Sequence, residues 1–141
     1  MARMLIDANI FLELELVQAK SEDCRAFLYN VARGKLKAIV TDFTLDSVAL
    51  AMESRGSSAK DIRKFFTSLL FYKGLQLYNL DLKGRVLATE KMEKEKLDFD
   101  DATSIEVMKR LKINEIVSFD RDFDKVQGIS RIEPGAAISR S

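Results

Sequence analysis

Short apolar runs alternating with stretches of helical periodicity constrain this chain more than any other feature of its sequence. The runs fall at residues 3–6, 36–41, 75–80, 115–119 and 129–132. Between them the spacing predicts a helix over 9–33, with Ala26, Leu28 or Tyr29 and Ala32 apolar and Gly34 as its stop. A second helix is opened by Asp42 ahead of Leu45, Val48, Ala49 and Met52, and a third, over 58–72, carries Ile62, Phe65, Phe66, Leu69 and Leu70 at i, i+3, i+4, i+7 and i+8. A Lys/Glu-rich helix over 82–96 and a further one over 101–111, with Ala102, Ile105, Met108 and Leu111 inward, complete the set. A helix between two strands makes a crossover, and crossovers give parallel sheets covered on both faces, so the fold class is α/β with a central, mostly parallel sheet. At 141 residues the chain is the length of one domain. It has no repeat, low-complexity tract or linker, so one domain over 1–134 is expected, with 135–141 as a frayed tail.

Composition removes whole classes of chemistry. With 0 His, the chain has no Ser-His or Cys-His nucleophile pair, no imidazole base and no His-ligated zinc site. Glycine-rich phosphate loops are absent as well, which leaves carboxylates to carry acid, base or metal work. The lone Cys24 has no partner within the chain and reads as a small buried hydrophobe. No segment reaches the roughly 18 to 20 apolar residues of a membrane span, and Asp7 interrupts the first apolar run, so a cytoplasmic protein is expected. A net charge of +1 neither announces nor excludes a nucleic-acid partner.

Ligands of parallel sheets collect beyond the carboxyl ends of the strands, and there this sequence is acidic. Asp7 follows the first strand, Asp42 and Asp46 open the helix after the second, Asp98, Asp100 and Asp101 open the helix before the fourth, and Asp120 and Asp122 follow that fourth strand. Carboxylates brought together raise one another's pKa or take up a divalent cation. Oxygen ligands without thiolate or imidazole suit Mg2+ or Mn2+, and such ions hydrolyse phosphodiesters by activating water.

Leu5-Ile6-Asp7-Ala8-Asn9-Ile10-Phe11, Asp101-Ala102 and Ile116-Val117-Ser118-Phe119-Asp120-Arg121-Asp122-Phe123 together resemble the PIN domain and its VapC-type toxin nucleases. The likeness runs from about Met4 to Pro134 and implies an α/β/α sandwich, Mg2+ or Mn2+ dependence and cleavage of single-stranded RNA. It further implies a toxin with a cognate antitoxin and self-association as a homodimer. Carried over by residue, Asp7, Asp101 and Asp120 are the metal-site acids. Asn9 and Ser118 are the small polar residues supporting them, and Asp122 is an additional carboxylate with Asp100 beside it. The second acid of the family is a Glu in a Thr-Leu-x-Glu context, whereas here Thr44-Leu45 leads into Asp46-Ser47, so Asp46 is taken as its substitute. Glu53 shares its stripe but lies about 10 Å further along the helix axis. Arg121, between two acids, is the candidate contact to an RNA phosphate.

Plainer readings stand beside these. Asp42 and Asp98 are expected as helix caps, Asp124 as a turn residue, and the 90–96 run as a solvated helix face. Phe65, Phe66, Phe71 and Tyr72 read as core or a dimer seam before they read as a base-stacking surface. Aspartyl-phosphate phosphatases need Asp-x-Asp where this chain has Asp7-Ala8-Asn9. A receiver domain lacks its acidic pair, although Asp81 sits at the acceptor position, and a topoisomerase-primase domain needs Glu where Asp7 stands. The alternative within the resemblance is a catalytically degenerate module of the same fold that binds RNA or a protein partner. The missing Glu of the second acid keeps that alternative open.

Overall fold

The computed structural model describes residues 3–140. Strand β1 (Arg3–Ile6) leads into helices α1 (Ala8–Glu15) and α2 (Ser21–Ala32), then β2 (Lys37–Thr41), α3 (Asp42–Ser54) and α4 (Ala59–Leu69). After β3 (Leu75–Tyr78) come α5 (Leu82–Glu95), α6 (Phe99–Leu111), β4 (Glu115–Val117), a 3-10 turn over Arg121–Lys125, β5 (Ser130–Ile132) and α7 (Pro134–Ala137). The sheet is five-stranded and parallel throughout, in the order β3-β2-β1-β4-β5. Successive strands step outward from β1 to β2 to β3, and the chain then returns to the other side of β1 to lay down β4 and β5. The carboxyl ends of β1 and β4 therefore lie side by side at the point where the winding reverses, the usual place for a ligand in such a sheet.

Both faces of the sheet are covered, and strand alternation divides the core accordingly. Met4 and Ile6 of β1 with Ala38 and Val40 of β2 pack under Phe11, Phe27 and Phe65. Leu5 and Ile39 face the opposite way, against Ala102, Ile105 and Met108 of α6. Lying in the middle of a two-faced sheet, β1 carries the unbroken apolar run Met4-Leu5-Ile6, all at 1% exposure or less. No helix among the described residues is long and apolar enough to cross a membrane.

The helix expected over 9–33 is two helices. Neither Gly nor Pro interrupts residues 16–20, yet the chain turns there with Val17 at φ 49°. A β-branched residue in the left-handed region is strained by about 1–3 kcal/mol. The turn is held instead by Glu13, whose carboxylate accepts the Lys20 N–H at 2.9 Å. Val17 is 76% exposed and gives up little packing. Val17→Gly is therefore expected to stabilise the protein by about 1 kcal/mol, the relief of strain exceeding the added freedom of the unfolded chain. Chemical denaturation would read this as a raised midpoint at unchanged m-value; an unchanged or lowered midpoint would show the turn to be unstrained.

Three further expectations are corrected by the fold. Thr41, not Asp42, caps α3, its hydroxyl accepting from Thr44 N–H at 3.0 Å. Asp42 is freed to accept the Leu80 N–H at 3.2 Å and to pair with Arg85 at 3.5 Å, tying the start of α3 to the end of β3. Strand β4 stops at Val117, two residues short of the predicted 119. Among the described residues the tail is helical rather than frayed: α7 starts on Pro134, packs against α2 with Ala137 fully buried, and is followed by an Arg140–Glu115 pair at 2.8 Å. Proline in the first helical turn pre-sets the backbone there.

Candidate metal centre

Hydrogen bonds at the adjoining ends of β1 and β4 build a polar network from short-range rules. Asp7 N–H donates to Val117 O at 3.0 Å, joining the two strand ends. The Asp7 side chain caps α1 through Oδ1, which accepts the Ala8 N–H at 2.8 Å. Its Oδ2 accepts from the Ser118 hydroxyl at 2.5 Å and from Asn9 Nδ2 at 3.2 Å. With its one proton given to Asp7, Ser118 Oγ still accepts, taking the Asp120 N–H at 2.9 Å and Asn9 Nδ2 at 3.4 Å. Asn9 Oδ1 in turn accepts the Phe119 N–H at 3.4 Å. Strand alternation would set Ser118 and Asp120 on one side of an extended chain. Because the strand has ended, the hydrogen bond through Ser118 Oγ does so instead.

The third contribution comes from α6. Asp98 caps this helix, as expected, accepting the Asp101 N–H at 2.9 Å. Asp101 is left in the first turn and is only 4% exposed. Carboxylate oxygens of Asp101, Asp120 and Asp122 lie within 4.8 Å of one another. Asp120 Oδ1 also accepts the Asp122 N–H at 2.9 Å, which opens the 3-10 turn and sets the two acids together. Asp7 stands outside that trio, both its oxygens already engaged, but its charge still reaches Asp100 and Asp101.

Crowding and burial are legible in the titration of these groups. Burial first, then the charges of Asp98, Asp120, Asp7 and Asp100, pushes Asp101 up to about 8. Asp100, half-buried, is pushed to about 6 by burial and by Asp7, Asp98 and Asp120. Burial raises Asp7 as well, against the lowering effect of the Ser118 and Ala8 hydrogen bonds. Asp98 is thus more than a cap, since its charge also loads the cluster.

Asp101 Oδ2 is buried with no hydrogen-bond partner. A buried carboxylate oxygen without a donor is expensive, and a hard divalent cation bound by oxygen ligands is the species that would satisfy it. The residues present therefore fit such an ion.

Not every expected residue is brought here. Asp46 is exposed on α3, and it is not among the charges felt by Asp100. The start of α3 does approach α6, with Phe43 packed edge-on against Phe99 at 5.7 Å between ring centroids. At about 100° per residue, Ser47 lies nearer to the direction of Phe43 than Asp46 does, so the side of α3 turned toward α6 carries a hydroxyl where the second acid was sought. Arg121 is exposed at the start of the 3-10 turn, between Asp120 and Asp122.

The sequence matches the PIN domain family over residues 4–129. In fold the chain is similar to VapC20 of Mycobacterium tuberculosis, a sarcin-ricin loop cleaving toxin, with TM-score 0.74 at 16% identity over 93% of this chain and 99% of that one. It is also similar to a chain of a toxin-antitoxin complex from Klebsiella pneumoniae, with TM-score 0.68 at 14% identity over 93% and 97% of the two chains. VapBC2 from Rickettsia felis, bound to a DNA fragment from its promoter, gives TM-score 0.65 at 12% identity over 93% and 98%. No curated protein matches the chain. With the family matched over nearly its whole length, and a fold like that of VapC structures and acidic strand ends in agreement, the chain belongs to the PIN domain family.

Proposed function

We propose that this chain is a divalent-metal-dependent endoribonuclease of single-stranded RNA, the toxin of a toxin-antitoxin pair. The observation that carries the reading is the buried Asp101 carboxylate, its Oδ2 without a hydrogen-bond partner, clustered with those of Asp120 and Asp122. PIN domains generally use divalent ions, and relatives in fold include a toxin that cleaves the sarcin-ricin loop and toxin-antitoxin complexes. Asp101, Asp120 and Asp122, whose oxygens come together, would hold Mg2+ or Mn2+, and Asp7, outside that trio but close enough for its charge to reach Asp101, would complete the ligand set, with Asp100 as a supporting carboxylate. Bound there, the ion supplies activation of water and neutralisation of charge at the scissile phosphodiester. Ser118 and Asn9 fix the Asp7 carboxylate and so set the geometry of the site, and Arg121 pairs with an RNA phosphate. Asp46 has no part in this site, since it is not among the acids whose oxygens come together there. Exposed Leu70, Phe71 and Leu77 beside α4 and β3 support self-association as a homodimer.

Asp46 and Ser47 also sustain the second reading, a module of the same fold that binds RNA or a protein with little catalysis, since α3 presents no acid to the cluster. Cleavage of a mixed single-stranded RNA pool in Mn2+, Mg2+ and EDTA, with Asp7→Asn purified in parallel, separates the two. Metal-dependent cleavage absent from Asp7→Asn is the expected result. Equal traces in both preparations, unaffected by EDTA, would retire the nuclease and leave the binding module.

A further inference from the structure

Phe119 sits between Ser118 and Asp120, outside the carboxylate cluster and with no part in holding a cation. Its backbone is fixed by the bond to Asn9, and its ring packs partly against the core that contains Ile6 and Phe11. The ring is only partly buried, and over it stands the ammonium of Lys20, 4.5 Å from the ring centroid. Lys20 is exposed and belongs to the strained turn between α1 and α2, where only its backbone is tied, through Glu13. An aromatic surface, one residue from an acid of the cluster and covered by an exposed lysine ammonium, is a combination that the carboxylate chemistry does not require.

We propose that Phe119 is a base-stacking platform for the RNA strand, and that Lys20 covers it in the free protein and moves to a backbone phosphate when a base takes its place. The proposal rests on the nuclease reading and adds to it a subsite for a nucleotide next to the cleaved bond. An exposed cation–π contact is worth only about two- to fivefold in an equilibrium. A stacked base contributes about 5- to 150-fold, so a base displaces the ammonium. The displaced charge is not wasted, because a phosphate flanking the stacked base is within reach of the lysine stem and takes it up. Lys20 also supplies positive charge at a rim whose carboxylates repel a polyanion. Any base has a π face, so the platform favours single strands, whose bases are free to stack, over duplexes without selecting a base by hydrogen bonding.

Binding of a fluorescent single-stranded oligoribonucleotide in Ca2+, read by anisotropy with the RNA checked to be intact, tests the platform apart from cleavage. Phe119→Leu keeps apolar packing and removes the π face; it is expected to weaken binding about tenfold. Phe119→Trp is expected to bind as well as the parent or tighter. An abasic nucleotide scanned along the RNA should weaken the parent at one position and leave Phe119→Leu unaffected there, a coupling that a merely structural role would not produce. Lys20→Ala should lower the salt dependence of log affinity by about one phosphate contact. If Phe119→Leu binds like the parent, or the abasic profiles of the two coincide, the platform is overturned while the nuclease stands. If the parent binds no single-stranded RNA, the proposed function falls and the platform falls with it.

Discussion

Asp101→Asn is expected to make the metal-free protein more stable at pH 8, by on the order of 3 kcal/mol, while lowering metal-dependent cleavage at least about 100-fold. The gain follows from the raised pKa. A carboxyl that ionises near 3.8 in the unfolded chain and at about 8 in the folded one is protonated in the native state over a range where the unfolded state has already released its proton. The folded state then binds more protons, so stability falls as pH rises from about 4 through about 8. Asp100, at about 6, and Asp7, also raised, add to the same trend at its lower end. Asparagine removes the charge while nearly keeping the shape, so the variant should lose most of this slope. Mn2+ should raise the melting temperature of the parent at pH 8, because an ion that binds only the folded state stabilises it, and should leave the variant nearly unmoved. Melting curves between pH 5 and 9, with and without Mn2+, measure all of this. A variant less stable than the parent at pH 8, or one that still gains stability from Mn2+, would remove Asp101 from the site.

These acids were legible in the sequence because they occupy positions that a parallel sheet makes special. Asp7 and Asp120 follow apolar runs short enough to be strands, and Asp101 opens a stretch of clear helical periodicity. Once crossovers imply a parallel sheet, residues at these ends must converge. What the pattern cannot carry is anything decided by one hydrogen bond or one backbone angle. The break at Val17 leaves no trace in composition, since the residues around it are ordinary helix formers and the turn is held by Glu13. Thr41 and Asp42 are both good caps, and the choice between them depends on Leu80 and Arg85, distant in sequence. Asp46 was favoured because it was the nearest carboxylate in a familiar context, whereas its exposure follows from how α3 is rotated on the sheet. The small tail helix leaves little periodicity to read, being four residues long, yet Pro134 starts it and Ala137 finds a place under α2.

Glu106→Ala is expected to cost about 2–3 kcal/mol, the loss that follows when part-buried Lys91 and Arg110 give up a charged hydrogen-bond partner. Glu106 is 2% exposed on α6, its Oε1 at 2.7 Å from Lys91 of α5 and its Oε2 at 2.9 Å from Arg110. Arg110 also reaches Asp81 at 2.9 Å and donates to the Tyr78 hydroxyl at 3.3 Å, so one carboxylate ties together α5, α6 and the end of β3. Burial disfavours the ionised form, but the hydrogen bonds from Lys91 and Arg110 outweigh it and hold Glu106 below the ordinary range. A depressed acid contributes stability that is present above its unfolded value and lost as pH falls through the folded one. The loss in Glu106→Ala should therefore be the same at pH 6 and pH 8 and shrink below about pH 4, the mirror image of the Asp101 cluster. Glu106→Gln keeps the shape and part of the hydrogen bonding and should cost less than half as much. Because α6 carries Asp98, Asp100 and Asp101 on its first turn, a folded Glu106→Gln protein that binds Mn2+ within a few-fold of the parent would place Glu106 in the framework. A large loss of Mn2+ affinity at nearly unchanged stability would instead mean that this network sets the position of the acids themselves. A cost for Glu106→Ala below about 1 kcal/mol would show that water replaces the lost carboxylate and that the network is solvated.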